Sequence, residues 1–495
     1  MKKQLFALIL AIVMLLPFAA CADSSDNGDG TNVPSGSNTV GVEDDSTNFE
    51  KALAALGSFD VSGREFKILS PDPGKHFYGY SGADENEIYY AEPSSEALPN
   101  AIYKRNLEVS EKLGIEIVPV WAGDTGNIKD IVRTNYTAND TEQYDVVLSR
   151  LDHEITFATN GMLRNFYEIS TMDLEHGWWD EQIVDTFTIN GNILYTLSGD
   201  INYYDDYAVQ IMFFNKQLAA EIGSGNIYQM VRDGSWTMDK MYELACAAAY
   251  DNNGDGTYTP GVDIMGLGDN YDAVPHYMFC YGQKMSETNA DGIPQVVWPN
   301  DTNTAVLDKI YSIFSNKEAT STSMSASQFM SDTFLFYGEM LGMIPNFRDM
   351  ETDFGILPMP KGDESMERYC AYVSNGWTTA YCIPIGVTDE DANTSGIILE
   401  CLSASSADHV TPALYDQLLE SKYIRDEESK EMLTYILNSK VYDWAGDLDW
   451  ASSLRGAYQN VLNDGPSSFT TTVSGSKKML EKQLEKLCES LTDVY

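Results

Sequence analysis

The stretch YDVVLSRLDHEITF (144–157) decides the fold. Val146, Val147 and Leu148 follow one another with no polar residue between them. A strand with one wet face alternates apolar and polar side chains, whereas a strand of a parallel sheet is covered on both faces and reads as a continuous apolar run. Upstream, REFKILS (64–70) reads as an earlier strand, closed by Pro71, Pro73 and Gly74. Between them lie a helix over 97–113, with Leu98, Ile102, Leu107, Val109 and Leu113 as its apolar set, a strand over 115–120 and a helix over 128–136. Strand, helix, strand, helix, strand predicts an α/β class with a mostly parallel sheet. Ligands of such sheets bind beyond the carboxyl ends of the strands.

Downstream, VQIMFF (209–214) predicts a second buried strand, followed by a helix to Gly223. Trp236 and Thr237 open a further helix through Tyr250, with Thr237 as N-cap. Residues 305–314 and 325–337 are expected to be helical, 342–345 and 354–357 short strands, 374–384 a strand and 392–403 a helix. In the tail, Leu480, Leu484, Leu487 and Leu491 recur on one helical face, a packing stripe.

The first residues give an address. Lys2 and Lys3 precede an apolar run, Leu5 to Phe18, that is shorter than the roughly 20 residues a membrane-spanning helix needs. Ala19, Ala20 and Cys21 follow, the layout of a secretory signal. Phe18-Ala19-Ala20-Cys21 resembles a bacterial lipobox, so Cys21 is expected to carry the lipid, with residues 1–21 as signal and 22–58 as a flexible tether rich in Ser, Asp, Asn and Gly. The rest exceeds one comfortable core, so two lobes are expected.

The net charge is −44, from 75 acidic and 31 basic residues. Such a surface repels phosphate backbones and excludes nucleic acid as a partner; it also disfavours an anionic ligand. Cys246, Cys280, Cys370, Cys382, Cys401 and Cys488 contain no CxxC pair and read as buried thiols. No GxSxG elbow or P-loop is present, HEITF (153–157) lacks the second histidine of a zinc-protease motif, and GLGDNY (266–271) lacks the third glycine of a dinucleotide loop.

Five segments resemble the extracellular solute-binding proteins of ABC importers, of the maltodextrin-binding kind. They are YDVVLSRLDHEITFATNGMLRNF (144–166), GNILYTLSGDINYYDDYAVQIMFFNKQLAAEIG (191–223), MVRDGSWTMDKMYELA (230–245), FLFYGEMLGMIPNF (334–347) and FGILPMPKGDESMERYCAYVSNGWTTAYCIP (354–384), in the family's order over about residues 60–410. The resemblance implies a two-lobed periplasmic-binding-protein-like fold of type II, each lobe a mostly parallel sheet flanked by helices. Lobe 1 would hold 59–200 and 374–408, and lobe 2 would hold 209–356 and 411–495. Crossing hinges would fall near 199–208, 357–373 and 404–411. It also implies a monomeric, lipid-anchored protein on the outer face of the bacterial cytoplasmic membrane. That protein would capture an oligosaccharide by hinge closure and deliver it to ABC permease subunits, breaking no bond. An extracellular glycoside hydrolase or lyase, a binder of peptide or another polar solute, and a surface scaffold are the competing readings.

A sugar cleft combines aromatic faces over pyranose C–H groups with planar polar groups for the hydroxyls. At strand ends and crossovers the candidates are Asp72 and Tyr78 after the first strand, Arg150, Asp152 and His153 after the third, and Tyr203, Tyr204 and Asp206 in the first crossover. Tyr271, Phe347, Arg348 and Trp377 complete the set, while Trp236 reads as structural. The loop DNNGDGTYTPGVD (251–263) spaces Asp251, Asn253 and Asp255 as positions 1, 3 and 5 of an EF-hand loop, with Gly256 turning and Thr257 offering its carbonyl. Position 12 is Val262, and Asp263 would close the site, so a structural Ca²⁺ is expected without an EF-hand's switch role. The alternative is an Asn/Gly turn without metal.

Overall fold

A computed structural model describes residues 46–76, 85–140, 142–270, 273–419, 426–444 and 451–492. In chain order the strands are β1 (Glu65–Ser70), β2 (Glu116–Trp121), β3 (Val146–Arg150), β4 (Gln210–Asn215), β5 (Met265–Gly268), β6 (Ser286–Thr288), β7 (Pro294–Val296), β8 (Thr320–Ser321), β9 (Phe334–Met340), β10 (Phe354–Pro358), β11 (Ala371–Tyr372), β12 (Thr379–Cys382) and β13 (Lys440–Val441). The first sheet runs β12-β3-β1-β2. In it β1 is parallel to β2 and β3, with Ile68 opposite Val146, and β12 closes the edge antiparallel to β3. Val146, Val147 and Leu148 are fully buried, as their continuous run requires.

The second sheet runs β10-β4-β9-β5-β8. Here β5 is parallel to β9 and β8, while β4 is antiparallel to both β9 and β10. One expectation fails in this sheet: 325–337 is helical only over Ala326–Met330, and Phe334–Met340 is the central strand β9. Both faces of β9 are buried, so its apolar residues do not alternate and periodicity alone does not separate it from a buried helix. Residues 342–345 belong to a 3₁₀ turn, Leu341–Phe347, instead of a strand. Thr237 caps the helix Met238–Ala248 by accepting from Lys240 N at 3.3 Å, and Trp236 is fully buried with its indole N–H on Pro358 O at 2.9 Å, a structural role as read.

Three stretches of chain lie side by side between the sheets: the first crossover, the return crossover and β13. Val209 pairs antiparallel with Val373, and Ser374 N donates to Ala208 O at 3.1 Å. On the other edge of the ribbon, β11 is parallel to β13, and Ala371 N donates to Ser439 O at 2.8 Å. Residues 404–411, expected to be the third hinge, lie inside the helix Asp389–Leu419, which packs along the helix Ala97–Leu113, so they form no extended crossing. The third strand of the ribbon is β13, reached after the helix Glu427–Leu437 has packed on β10. Within the stretch read as a tether, Asn48–Leu56 is a helix with a Thr47/Glu50 capping box, and Asp408 accepts from Asn48 N and Phe49 N at 3.1 and 2.9 Å.

The first crossover is held from two directions. Glu400, buried in the long helix, accepts from Trp178 Nε1 at 2.8 Å and Trp179 Nε1 at 3.1 Å. Gly199 packs against that pair so closely that a Cβ would lie 2.2 Å from Trp178 O, so only glycine fits. In the tail, Phe469 stacks on Tyr458 and meets Trp298 edge-on, and Leu480 and Leu484 of the expected stripe are buried.

Candidate ligand-binding site

The carboxyl ends of the parallel strands meet the ribbon between the sheets. At the end of β3, Arg150 forks onto Asp152 in the first turn of the next helix, Nε to Oδ1 at 2.9 Å and Nη2 to Oδ2 at 2.6 Å. A Cβ on Gly376 would come within 3.0 Å of Arg150 Nη2, so the turn 374–378 lies directly on this ion pair. That turn carries Trp377, half-buried, and Asn375, 1 % exposed with neither amide atom hydrogen-bonded. Arg150, Asp152 and Trp377, three of the expected residues, are thus brought together.

On the second sheet, Asp269 follows β5 and Glu339 stands near the end of the neighbouring parallel strand β9. Tyr337 Oη donates to Glu339 Oε2 at 3.0 Å, and His276 Nδ1 is 3.4 Å from Asp269 Oδ1. Burial first, and then the like charge of Asp269, raise the Glu339 carboxyl above its ordinary range. His276 stacks on Tyr372 of β11, with centroids 5.8 Å apart. Tyr372 and Gly376 are four residues apart, so the two walls are joined by at most ~14 Å of chain.

Beneath them the first crossover is a buried polar floor. Tyr203, Tyr204 and Tyr207 pack ring against ring, with centroids of Tyr203 and Tyr204 4.7 Å apart, and His76 tilts onto Tyr204 at 5.2 Å. Glu87 accepts from Tyr203 N at 2.6 Å, Tyr204 N at 3.1 Å and Thr379 Oγ1 at 2.6 Å; burial pushes it up to about 7 despite these bonds and nearby Arg105. Lys440 of β13 donates to Asp180 at 2.6 Å, Asp205 at 2.9 Å and Asp206 at 3.1 Å, tying β13 to the first crossover. Burial pushes Asp205 up to about 8, against the pull of Lys440.

Several expected residues lie elsewhere. Phe347 is fully buried against Phe213, Phe329 and Phe354, so it is core and offers no stacking face. Arg348 stands on the surface, 3.5 Å from Asp349. His153 is buried in its helix's packing, which pushes it down to about 2. Asp72 is turned to the neighbouring loop after β2, accepting from Gly123 N at 2.8 Å. Tyr203 and Tyr204 are buried floor, and Asp206 faces Lys440. Tyr78, Tyr271 and Cys21 lie outside the described residues. Asp269, His276 and Glu339 are not singled out by sequence reasoning. One signal for them is Gly338 inside an apolar strand, because glycine there marks a close approach.

The loop 251–263 is closed by the reciprocal backbone pair of Tyr250 and Ile264. Asp251 accepts from Gly254 N at 2.7 Å and Gly256 N at 2.8 Å, and these bonds lower its carboxyl below the usual value. Asp255 accepts from Thr257 N at 2.7 Å, and Asn253 Nδ2 donates to Asp255 at 3.0 Å. Asp263 is fully buried and takes Asn252 N and Thr259 N at 2.9 and 2.8 Å, so it knits the loop's two ends. Among the described residues no three His, Cys, Asp or Glu side chains are grouped to hold a metal. Asp251, Asp255 and the Asn253 carbonyl still supply hard oxygen donors of the type Ca²⁺ takes.

No family model matches the sequence, and no curated protein matches it. Solved structures do share its fold. A family 1 extracellular solute-binding protein from Bifidobacterium longum subsp. infantis aligns at 15% identity with a TM-score of 0.53, over 86% of this chain and 99% of that one. The maltose/maltodextrin-binding domain MalE from Bdellovibrio bacteriovorus bound to maltotriose aligns at 14% and 0.51, over 84% and 100%. An ABC substrate-binding protein from Listeria monocytogenes in complex with cycloalternan aligns at 11% and 0.51, over 84% and 99%. The chain therefore has the two-lobed α/β fold of these solute-binding proteins, the expected fold class. Among the described residues no helix is long and apolar enough to cross a membrane.

Proposed function

We propose that this chain captures an oligosaccharide outside the cell and hands it, unchanged, to the permease of an ABC importer. The observation that carries the reading is the segment 371–378, which joins a polar wall on each sheet and brings Tyr372 and Trp377 to the seam. Rings there cover the C–H faces of a pyranose, and Asp152, Asn375 and Glu339 meet its hydroxyls. A ligand touching both walls favours the shut arrangement, because its contacts are complete only there. The sugars named for the maltotriose and cycloalternan complexes support this substrate class. Titration calorimetry against a panel of glycans tests it, with product analysis alongside. Stoichiometric binding with the glycan recovered intact is expected, and release of shortened sugars would instead establish a hydrolase or lyase.

In this reading the protein is a monomer anchored through Cys21 to the outer face of the cytoplasmic membrane. Labelled fatty acid should enter the wild type, and Cys21→Ala should free the protein into the medium. The loop 251–263 takes a structural Ca²⁺ through Asp251, Asn253, Asp255 and the Thr257 carbonyl. Chelation should lower Tm by a few degrees, about 1 kcal/mol, and Asp251→Asn should abolish that response. An unchanged Tm with and without chelator would leave the loop a plain turn.

A further inference from the structure

We propose that the second-sheet wall is a recognition site for a protonated amine, so that the captured oligosaccharide contains an amino sugar; this rests on the function proposed above. Asp269 is fully buried, and its Oδ2 has no hydrogen-bond partner. Buried carboxylates are ordinarily paired with a cation, because an isolated buried charge is costly. Among the described residues no lysine or arginine comes within ion-pair distance of Asp269 or Glu339; His276 alone approaches, at 3.4 Å from Asp269. One imidazole, even when charged, leaves two carboxylates with a net negative charge.

The unpaired oxygen is aimed by the fold. A Cβ on Gly338 would lie 2.3 Å from Asp269 Oδ2 and 3.5 Å from Tyr277 Oη, so glycine at this point of β9 admits the carboxylate over the strand. Tyr277 Oη and His276 Nδ1 are likewise buried without a hydrogen-bond partner. Gln210, opposite Met340 on the same sheet, adds a buried amide oxygen in the same condition. Asp269 Oδ2 and Gln210 Oε1 only accept, while Tyr277 Oη and, in one tautomer, His276 Nδ1 can donate, so what this wall lacks is positive charge. A hydroxyl brings one hydrogen and no charge, whereas an ammonium brings three hydrogens and the missing positive charge. Contrast the Lys440 cluster, where the same kind of carboxylates are met by an ammonium from the chain itself.

The test is calorimetry with the full chain and three matched trimers: glucosamine, N-acetylglucosamine and glucose, at a pH where the amine is protonated. The glucosamine trimer should bind at least tenfold tighter than the other two. Asp269→Asn and Glu339→Gln, each checked for an unchanged thermal transition, should bring that ratio down toward one. Equal or tighter binding of the acetylated or neutral trimer overturns the proposal while leaving oligosaccharide capture standing. So does a folded Asp269→Asn and a folded Glu339→Gln that both keep the tenfold preference. Absence of binding by the trimers and by every glycan of the wider panel overturns both.

Discussion

Two groups of buried and half-buried carboxylates lie at the ribbon between the sheets, and they are treated in opposite ways. Asp180, Asp205 and Asp206 converge on Lys440, which draws one charge into their midst. Among the described residues, the one cationic group that approaches Asp269 and Glu339 is His276. The first arrangement supplies an ammonium from the chain itself and serves to fix β13 against the first crossover. The second leaves acceptors open and serves to meet something brought from outside. Burying an acid is thus a structural act in one place and a binding act in the other, and the presence or absence of a cation within the chain separates them.

The largest effect expected from this contrast is at Lys440. Lys440→Met should destabilise the protein by about 3–5 kcal/mol, because it strands three carboxylates in a buried site. Denaturant unfolding reads it, and a loss below about 1 kcal/mol would mean that water already solvates the cluster.

Glu87 is the next lever, a buried acid at the crossover held by hydrogen bonds from Tyr203 N, Tyr204 N and Thr379. Its folded value is raised from 4.5 to about 7, chiefly by burial, so its contribution to stability is fully present below about 4.5 and is lost as pH rises to about 7. Glu87→Gln removes that proton. Its stability relative to wild type should therefore climb between these limits, by at most roughly 3 kcal/mol, and level off above. A difference that does not vary with pH would place the Glu87 proton elsewhere.

The smallest effect on stability, and the sharpest on the second wall, is expected from Gly338→Ala. Its methyl collides with Asp269 Oδ2 and should cost about 1–3 kcal/mol as overpacking. By displacing that carboxylate it should also weaken ligand binding more than an alanine placed on the outer surface does. Unaltered affinity with a measurable fall in Tm would separate Asp269 from the site.

How much of this was legible in the sequence depended on the kind of signal each part leaves. The first sheet was readable because Val146, Val147 and Leu148 form a run too short for a helix and are bounded by turn residues. The strand β9 was not, since burial on both faces removes the alternation that distinguishes a strand. The strand β13 has two residues and exists because Lys440 and Val441 meet Ala371 and Tyr372, a tertiary fact with no local trace. Among the candidate residues, Arg150, Asp152 and the turn carrying Trp377 fall together because strand ends and turns of such a sheet meet at one edge. Phe347 was misplaced because an aromatic after a strand looks the same in sequence whether it faces a ligand or Phe213. Asp269 and Glu339 went unnoticed among 75 acidic residues, where a carboxylate carries almost no information by identity alone.

The ribbon between the sheets also sets the mechanics of the molecule. Two strands joining two bodies let them swing and also twist like a pair of cords. A third, bonded edge to edge through the Val209–Val373 and Ala371–Lys440 pairings, makes a flat strap that folds readily across its width and resists torsion, as a door on a long hinge does.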